Sequence, residues 1–241
     1  MSGSESARGA AFAHGVTPPQ PAGVQVMSGR YTVFSGGVEC GEERWRMVAD
    51  GDRLIVTGEQ EIVRPHPFPS RLAYRVTLTS RWRVTGLELQ WHVGEREVRA
   101  LHEATGERWR VQVHAGGHVR EQEGDYPSAC EVETLTHLTS MFILARRDFQ
   151  VGGEHEFPVL RIGPPVMAVS PERMLLRCVD QATIMSPAGP VRAKRYVLTL
   201  PPRGEEDGYT FWADEDGLVL ESFEGPTPVQ TWMRLVTLHR G

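Results

Sequence analysis

The chain has 241 residues, of which 40% are hydrophobic, so it can bury a sizeable core within one domain. Its formal net charge is −5 and no block of like charge stands out, which excludes the basic footprint of a nucleic-acid-binding protein. Three cysteines are too few for a disulfide framework or a zinc site. No stretch reaches the roughly 18 apolar residues of a transmembrane helix.

The N-terminal segment differs in composition from the rest of the chain. Residues 1–28 are rich in Gly, Ala, Ser and Pro and lack the apolar core of a signal peptide. We therefore expect a disordered leader over 1–28, a single domain over 29–241, and a cytoplasmic protein. The odd number of cysteines is consistent with a reducing compartment.

The tripeptide Arg-Trp-Arg occurs three times, at Arg44–Arg46, Arg81–Arg83 and Arg108–Arg110. Each copy lies in a stretch that reads as a β-strand. Because neighbouring side chains on a strand point to opposite faces, each Trp faces away from its Arg neighbours. The repeats therefore predict one sheet with an aromatic face and a cationic face.

Alternation of apolar and polar residues begins at Tyr31 and continues through most of the chain. It predicts strands at 43–49, where Trp45, Met47 and Ala49 share a face, and at 71–79 and 107–114. The C-terminal third continues the pattern, and its predicted strands are 174–184, 192–200, 208–214, 217–223 and 229–238. Closely spaced turns, such as the one ending at Gly217, favour antiparallel pairing. About 12–14 strands are expected on this alternation.

In the segment 81–91 the apolar residues switch from even-numbered to odd-numbered positions at Gly86. Trp82 and Val84 lie on one side of the change, and Leu87, Leu89 and Trp91 follow it. A β-bulge at Gly86 would return these side chains to one face. Burial of both faces of the strand is the alternative.

One segment breaks the β pattern. Leu135, Leu138, Met141, Phe142 and Ala145 have helical spacing, which predicts a short helix at about 132–147. Thr134 and Thr136 are its candidate N-caps.

The chain carries no motif that identifies a reaction. Glu133 and His137 form an i, i+4 pair, but no second pair completes a metal site, so a solvated helix face is the better interpretation. Cys130 is more simply a buried thiol than a nucleophile. No Gly-x-Ser-x-Gly elbow and no phosphate-binding glycine loop is present. We therefore predict no catalytic residue, no metal and no cofactor.

Several short segments resemble a known family. They are Tyr74-Arg75-Val76, Trp82-Arg83, Leu87-Glu88-Leu89, Gly106–Trp109, Ala129–Glu133, Leu135, Thr139, Arg146-Arg147 and Asp214–Val219. Together, over about residues 43–238, they are similar to the bacterial family described as "putative glycolipid-binding". The N-terminal strands also resemble a lipoprotein-carrier-like half-barrel. The resemblance implies an all-β fold, in which a large curved antiparallel sheet forms an unclosed barrel around short helical pieces.

The chain has six tryptophans, which is more than its core strictly needs. Together with the resemblance, they suggest a non-catalytic protein that binds an apolar or amphipathic small molecule, a lipid or glycolipid, in the half-barrel. We expect Trp45, Trp82, Trp91 and Trp109 to form the wall of the site. Met141 and Phe142 would come from the helix, and Arg146 or Arg147 would pair with an anionic headgroup. Met167 and Met185 would be adaptable lining.

Two other classes of function stay open. The tryptophans could simply fill the core of a structural or interaction module, and the volume of any pocket separates that class from a binding protein. An enzyme whose residues converge only in three dimensions is the other class, and a strongly perturbed His or carboxylate in the pocket would favour it. The sequence does not determine the oligomeric state.

Overall fold

The computed structural model describes residues 23–163, 167–200, 209–224 and 231–241. These residues form one sheet of 15 strands and one short helix. The first eight strands are β1 Val24–Ser35, β2 Val38–Asp50, β3 Arg53–Ile62, β4 Ser70–Thr79, β5 Val84–Val93, β6 Arg96–Thr105, β7 Arg108–Ala115 and β8 His118–Asp125. The others are β9 Glu131–Glu133, β10 Glu154–Gly163, β11 Ala168–Ser186, β12 Gly189–Thr199, β13 Tyr209–Ala213, β14 Val219–Glu224 and β15 Thr231–Arg240. The helix α1 spans Leu138–Ala145.

The strand order explains the overall shape of the sheet. It runs β8-β7-β6-β5-β4-β3-β2-β1-β15-β14-β13-β12-β11-β10-β9, so β8 and β9 are the two edges and the sheet is not closed into a barrel. Neighbouring strands pair antiparallel except β9 and β10, which are parallel. The edge strand β8 is almost entirely exposed and rich in charge, which protects its unpaired backbone from other chains. The predicted all-β, unclosed antiparallel sheet is confirmed.

The parity change in the fifth strand comes from a bulge. Leu78 pairs with Val84 and Thr77 pairs with Gly86, so Thr85 is the extra residue. The bulge returns Leu87 and Leu89 to the buried face of Val84. The bulge interpretation is therefore the correct one of the two.

One of the three Arg-Trp-Arg copies does not lie in a strand, contrary to our prediction. Arg81–Arg83 form the turn between β4 and β5, and Trp82 has a φ of 62°. The turn is closed by hydrogen bonds from the Trp82 amide to the Thr79 carbonyl and from the Thr79 amide to the Arg83 carbonyl. The other two copies follow the prediction, since Trp45 and Trp109 are buried while Arg44, Arg108 and Arg110 are exposed.

Buried side chains form two clusters. We call the larger one the first cluster, and it joins the inward side chains of β1 to β7 with Leu138, Met141 and Phe142 of α1. The second cluster joins β10 to β14 with Ile143 and Leu144. Strand β10 contributes to both, because its alternate side chains point to opposite faces. Helix α1 lies between the clusters and is buried at every position from Leu138 to Leu144.

Two predicted boundaries are wrong in detail. The helix begins at Leu138 rather than near 132, because Val132 belongs to β9 and pairs with Leu160 of β10. Residues 24–28 belong to β1 and pair with β2 and β15, so this part of the predicted leader is sheet. Residues 1–22 lie outside the described part of the chain. The part of the chain that the structure describes contains no helix that could span a membrane.

Candidate ligand-binding site

The sheet brings the predicted aromatic wall together. Trp45 and Trp109 are buried in the first cluster, and Trp82 and Trp91 pack against it half-buried. Met141 and Phe142 of α1 are buried in the same cluster, and the Phe142 ring stacks on Trp82 with centroids 6.3 Å apart. The predicted site residues of the sheet and of the helix therefore belong to one packed cluster, in which Trp82 and Phe142 are in ring contact.

Two of these tryptophans lie over glycines of the neighbouring strand. Trp45 pairs with Gly29, where an added Cβ would come within 2.7 Å of the indole ring. Trp109 pairs with Gly124, where a Cβ would come within 2.9 Å of the indole nitrogen. Glycine at these positions leaves room for the ring to lie flat on the sheet.

The two methionines that we expected to line the site lie in different environments. Met167 is fully buried in the first cluster. Met185, near the end of β11, has 74% of its surface exposed and does not line the interior.

The arginine pair after α1 holds a buried carboxylate. Glu131 accepts a hydrogen bond of 2.6 Å from Arg146 Nη1 and one of 2.7 Å from Arg147 Nη2. The same guanidiniums donate to the carbonyls of Ser128 and Ala129. Arg147 also lies over the Phe157 ring, 4.4 Å from its centroid. In this structure both guanidiniums are committed to intramolecular contacts, and pairing with a headgroup stays a prediction.

A buried polar network joins the sheet to the segment before α1. Glu43 on β2 is fully buried, and its Oε1 accepts hydrogen bonds from Tyr74 at 2.6 Å and from Thr136 at 2.5 Å. Gln60 on β3 lies 3.4 Å from the other oxygen. Burial raises the pKa of Glu43, although these hydrogen bonds oppose the rise. The sequence contained a signal for this burial, because Glu43 lies two residues before Trp45 and therefore on the same face of the strand.

Four side chains among the described residues have buried polar atoms without a hydrogen-bond partner. These atoms are the Trp45 Nε1, both ring nitrogens of His102, the Thr134 hydroxyl and the Arg147 Nε. Burial lowers the pKa of His102 to about 4, so the ring is neutral at pH 7. Such groups are rare in protein cores. His102 instead packs on apolar neighbours, including Trp109 at a centroid distance of 6.3 Å.

An open cavity of about 400 Å³ lies at the C-terminal end of α1. Leu144, Phe149 and Tyr196, all members of the second cluster, provide its apolar part. Gln181, Arg192 and Lys194 from β11 and β12 and the turn 214–217 provide its polar part. Of the predicted site residues, Arg147 alone lines this cavity. Sequence reasoning missed it because its residues come from four separate parts of the chain.

The candidate reactive groups lie apart from this cavity. Burial lowers the pKa of His137 to about 4, and its Nδ1 is hydrogen-bonded to the Tyr209 hydroxyl. Glu133 pairs with Arg161 at 3.1 Å. Among the described residues, no group of three metal-ligating side chains is placed to hold an ion. The three cysteines are buried and free, and burial raises the pKa of Cys130 to about 11.

Two solved structures are similar to this chain at low sequence identity, and the first of them shares its fold. A beta-barrel-like protein of domain of unknown function DUF1849 from Brucella abortus is 8% identical, with a TM-score of 0.61 over 91% of this chain and 99% of that one. A DUF1089 family protein from Pseudomonas aeruginosa is 15% identical, with a TM-score of 0.49 over 89% of this chain and 95% of that one. No curated protein matches the chain significantly.

The sequence itself gives the family. The profile of the family described as "Putative glycolipid-binding" matches residues 38–224, which run from the start of β2 to the end of β14. The match therefore covers most of the sheet, α1, and the residues that line the cavity. The chain belongs to the putative glycolipid-binding family.

Proposed function

We propose that this protein binds an amphipathic, lipid-like molecule without transforming it, and that the cavity at the end of α1 receives it. The observation that carries the proposal is the two-sided lining of this cavity. Its volume of about 400 Å³ lies within the range of about 300–1,000 Å³ that is typical of ligand sites. Apolar side chains beside charged side chains in one lining match a molecule with an apolar and a polar part.

Helix α1 links this cavity to the aromatic wall. Leu144 lines the cavity, while Met141 and Phe142, less than one turn earlier, belong to the first cluster with Trp82. Part of a long apolar chain could therefore follow α1 toward the predicted tryptophans. Such a path requires the helix to shift, because Met141 and Phe142 are 1% and 2% exposed.

The rival classes of function are less well supported. The interior around the tryptophans is packed, as an interaction module would also have it, so the cavity at the end of α1 is the feature that favours binding over such a module. The strongly perturbed histidines, His102 and His137, do not line the cavity. Burial raises the pKa of Asp214, a carboxyl of the lining, but both oxygens of Asp214 already accept hydrogen bonds from within the protein, which favours a structural role in its turn over a catalytic one. Binding is therefore the function that this geometry supports best.

The test is uptake of a fluorescent fatty acid by the purified protein, together with native mass spectrometry for co-purified lipid. Ala145 is exposed and lines the cavity, so Ala145→Trp should fill the site without disturbing the core. We expect that substitution to weaken binding at least about tenfold, or 1.4 kcal/mol. Enlarging Met141 or Phe142 is a poorer test, because overpacking a filled core destabilises the fold.

Ala188→Trp is the matched control, since Ala188 is exposed in the turn between β11 and β12 and does not line the cavity. It should bind like the wild type. The proposal fails if the wild-type protein binds no amphiphile. It also fails if the two variants bind equally well.

A further inference from the structure

We infer that the hairpin of β11 and β12 docks onto the surface of a lipid bilayer with anionic headgroups and brings the cavity up to that surface. This inference goes beyond the proposed function, because docking is a property of the hairpin tip and does not require that the cavity be filled. It depends on three features of the hairpin, which are its length, its apolar tip and the position of its basic side chains.

The end of the hairpin extends past its neighbours in the sheet. The pairing of β11 with β10 ends at Arg177, and the pairing of β12 with β13 begins at Lys194. Residues 182–186 and 189–193 pair with each other, and among the described residues no third strand pairs with them; we call them the ribbon. Five pairs of residues make the ribbon about 13 Å long at 3.3 Å per residue. Its tip therefore stands clear of the strands beside it.

The two faces of the ribbon differ. On one face, Ile184 and Val191 are half-buried and pack against the first cluster. On the opposite face, Met185 and Pro190 form the pair nearest the tip, and both are exposed. Arg192 lies on this same face, two residues from Pro190, and lines the cavity. The exposed face thus continues the lining of the cavity outward to the tip.

The tip presents apolar side chains to water. Met185 has 74% of its surface exposed. Pro187, Ala188 and Pro190 are exposed beside it, and residues 182–191 contain no charged residue. Exposure of this surface to water is unfavourable, and insertion into the interface of a bilayer removes it from water.

The spacing along β12 matches the layers of a bilayer. The polar layer on each side of the hydrocarbon core is about 5–7 Å thick. Arg192 lies about 7 Å along the strand from Pro190. When Met185 and Pro190 reach the edge of the hydrocarbon core, the Arg192 guanidinium is therefore at the depth of the lipid phosphates, which it can pair with.

The charge of the hairpin is complementary to an anionic surface. No Asp or Glu occurs within residues 181–194, which contain Arg192 and Lys194. Arg192 is exposed, whereas Lys194 donates a hydrogen bond of 2.5 Å to the Phe149 carbonyl, so Arg192 is the principal contact. The carboxylates of the cavity lining belong to the segment after α1 and to the turn 214–217, not to the ribbon. An uncharged apolar tip followed by a cation favours an anionic bilayer as the partner.

The experiment measures sedimentation of the full-length protein with vesicles of phosphatidylcholine and phosphatidylglycerol in equal amounts. We expect binding that weakens with added salt and is much weaker on pure phosphatidylcholine. Met185→Glu should weaken binding at least about tenfold, and Arg192→Ala about fivefold. Ala188→Trp, which adds an aromatic ring to the tip, should strengthen it. Val119→Glu is the matched control, because Val119 is 56% exposed on β8, and it should bind like the wild type.

A fluorescent label reports insertion of the tip directly. The three native cysteines are buried, so Met185→Cys can be labelled selectively with nitrobenzoxadiazole. We expect the emission of this label to shift to the blue when the mixed vesicles are added. The same label at Val119→Cys should show no shift.

The outcomes distinguish docking from the proposed function. Vesicle binding without uptake of the fluorescent fatty acid would support docking while the proposed function fails. Uptake without vesicle binding would overturn docking, as would equal vesicle binding by the wild type and Met185→Glu. If the wild type binds no vesicles and Met185→Glu separates a dimer in sedimentation equilibrium, the tip is an interface between two copies of the chain and the docking inference is wrong.

Discussion

The hydroxyl of Tyr74 on β4 crosses the whole width of β3 to donate a hydrogen bond of 2.6 Å to Glu43 on β2. The residue that it crosses is Gly58, its cross-strand partner. A Cβ at Gly58 would collide with the Tyr74 ring and hydroxyl. The hydrogen bond to the buried carboxyl therefore depends on a glycine in the strand that lies between the donor and the acceptor, and this relationship can be tested directly.

We predict that Gly58→Ala destabilises the fold by about 2–4 kcal/mol, because it displaces the Tyr74 ring and removes a hydrogen bond from a buried carboxyl. Urea denaturation measures the free energy of unfolding. In a Tyr74→Ala background the same change should cost much less, since the collision is gone. Gly163→Ala is the control, because a Cβ there meets nothing within 4 Å. Equal costs for Gly58→Ala in both backgrounds would contradict the contact.

We predict that Glu43 makes the fold less stable as the pH rises. Burial raises its folded-state pKa above the ordinary value of 4.5, so the folded protein holds this proton more tightly than the unfolded chain does. The stabilisation that Glu43 contributes is fully present below its ordinary pKa. It is lost as the pH rises through the raised pKa of the folded state. Within that window the loss approaches about 1.4 kcal/mol per pH unit.

Glu43→Gln should remove this part of the pH dependence, because the amide keeps the shape of the side chain and does not ionise. The measurement is the free energy of unfolding of both proteins across the acidic and neutral range. Glu95→Gln, in the exposed turn between β5 and β6, is the control for loss of a negative charge. A constant difference between wild type and Glu43→Gln at every pH would show that the carboxyl does not titrate in this way.

We predict that Trp109→Ala costs about 3–5 kcal/mol, because the side chain is 5% exposed and lies flat over Gly124. Trp91→Ala should cost less, since Trp91 is only half-buried on β5. Chemical denaturation of the two variants gives the comparison. A loss below about 1 kcal/mol for Trp109→Ala would mean that the indole borders an empty space rather than a packed core.

We predict that Glu131→Ala costs about 3–5 kcal/mol, because it leaves Arg146 and Arg147 partly buried without their carboxylate. Glu133→Ala, two residues further along β9, removes a more exposed pair with Arg161 and should cost about 0–1 kcal/mol. Thermal and urea unfolding of both variants test the contrast. Similar losses would show that the Glu131 pairs are not the structural anchor of the segment after α1.

The local alternation of apolar and polar residues predicted much of the fold. Alternation along 107–114 placed Trp109 on the buried face, and the parity change at Gly86 indicated the bulge that the structure has. These features depend only on the period of two along a strand, which the order of residues determines. The start of α1 was misjudged because Val132 fits either a helix or a short strand, and its pairing with β10 decides between them.

The candidate site depended on the tertiary structure. Glu43 and Thr136 are 93 residues apart, and nothing local in 41–44 shows that a carboxyl there is buried under the segment before α1. Arg146 and Arg147 look available for a headgroup in the sequence, but the fold brings Glu131 to them. By itself the sequence determined which face of each strand is apolar and which family the chain resembles. Only the curvature and register of the sheet decided which distant side chains meet and where a cavity stays open, because those contacts join strands that the local period cannot relate.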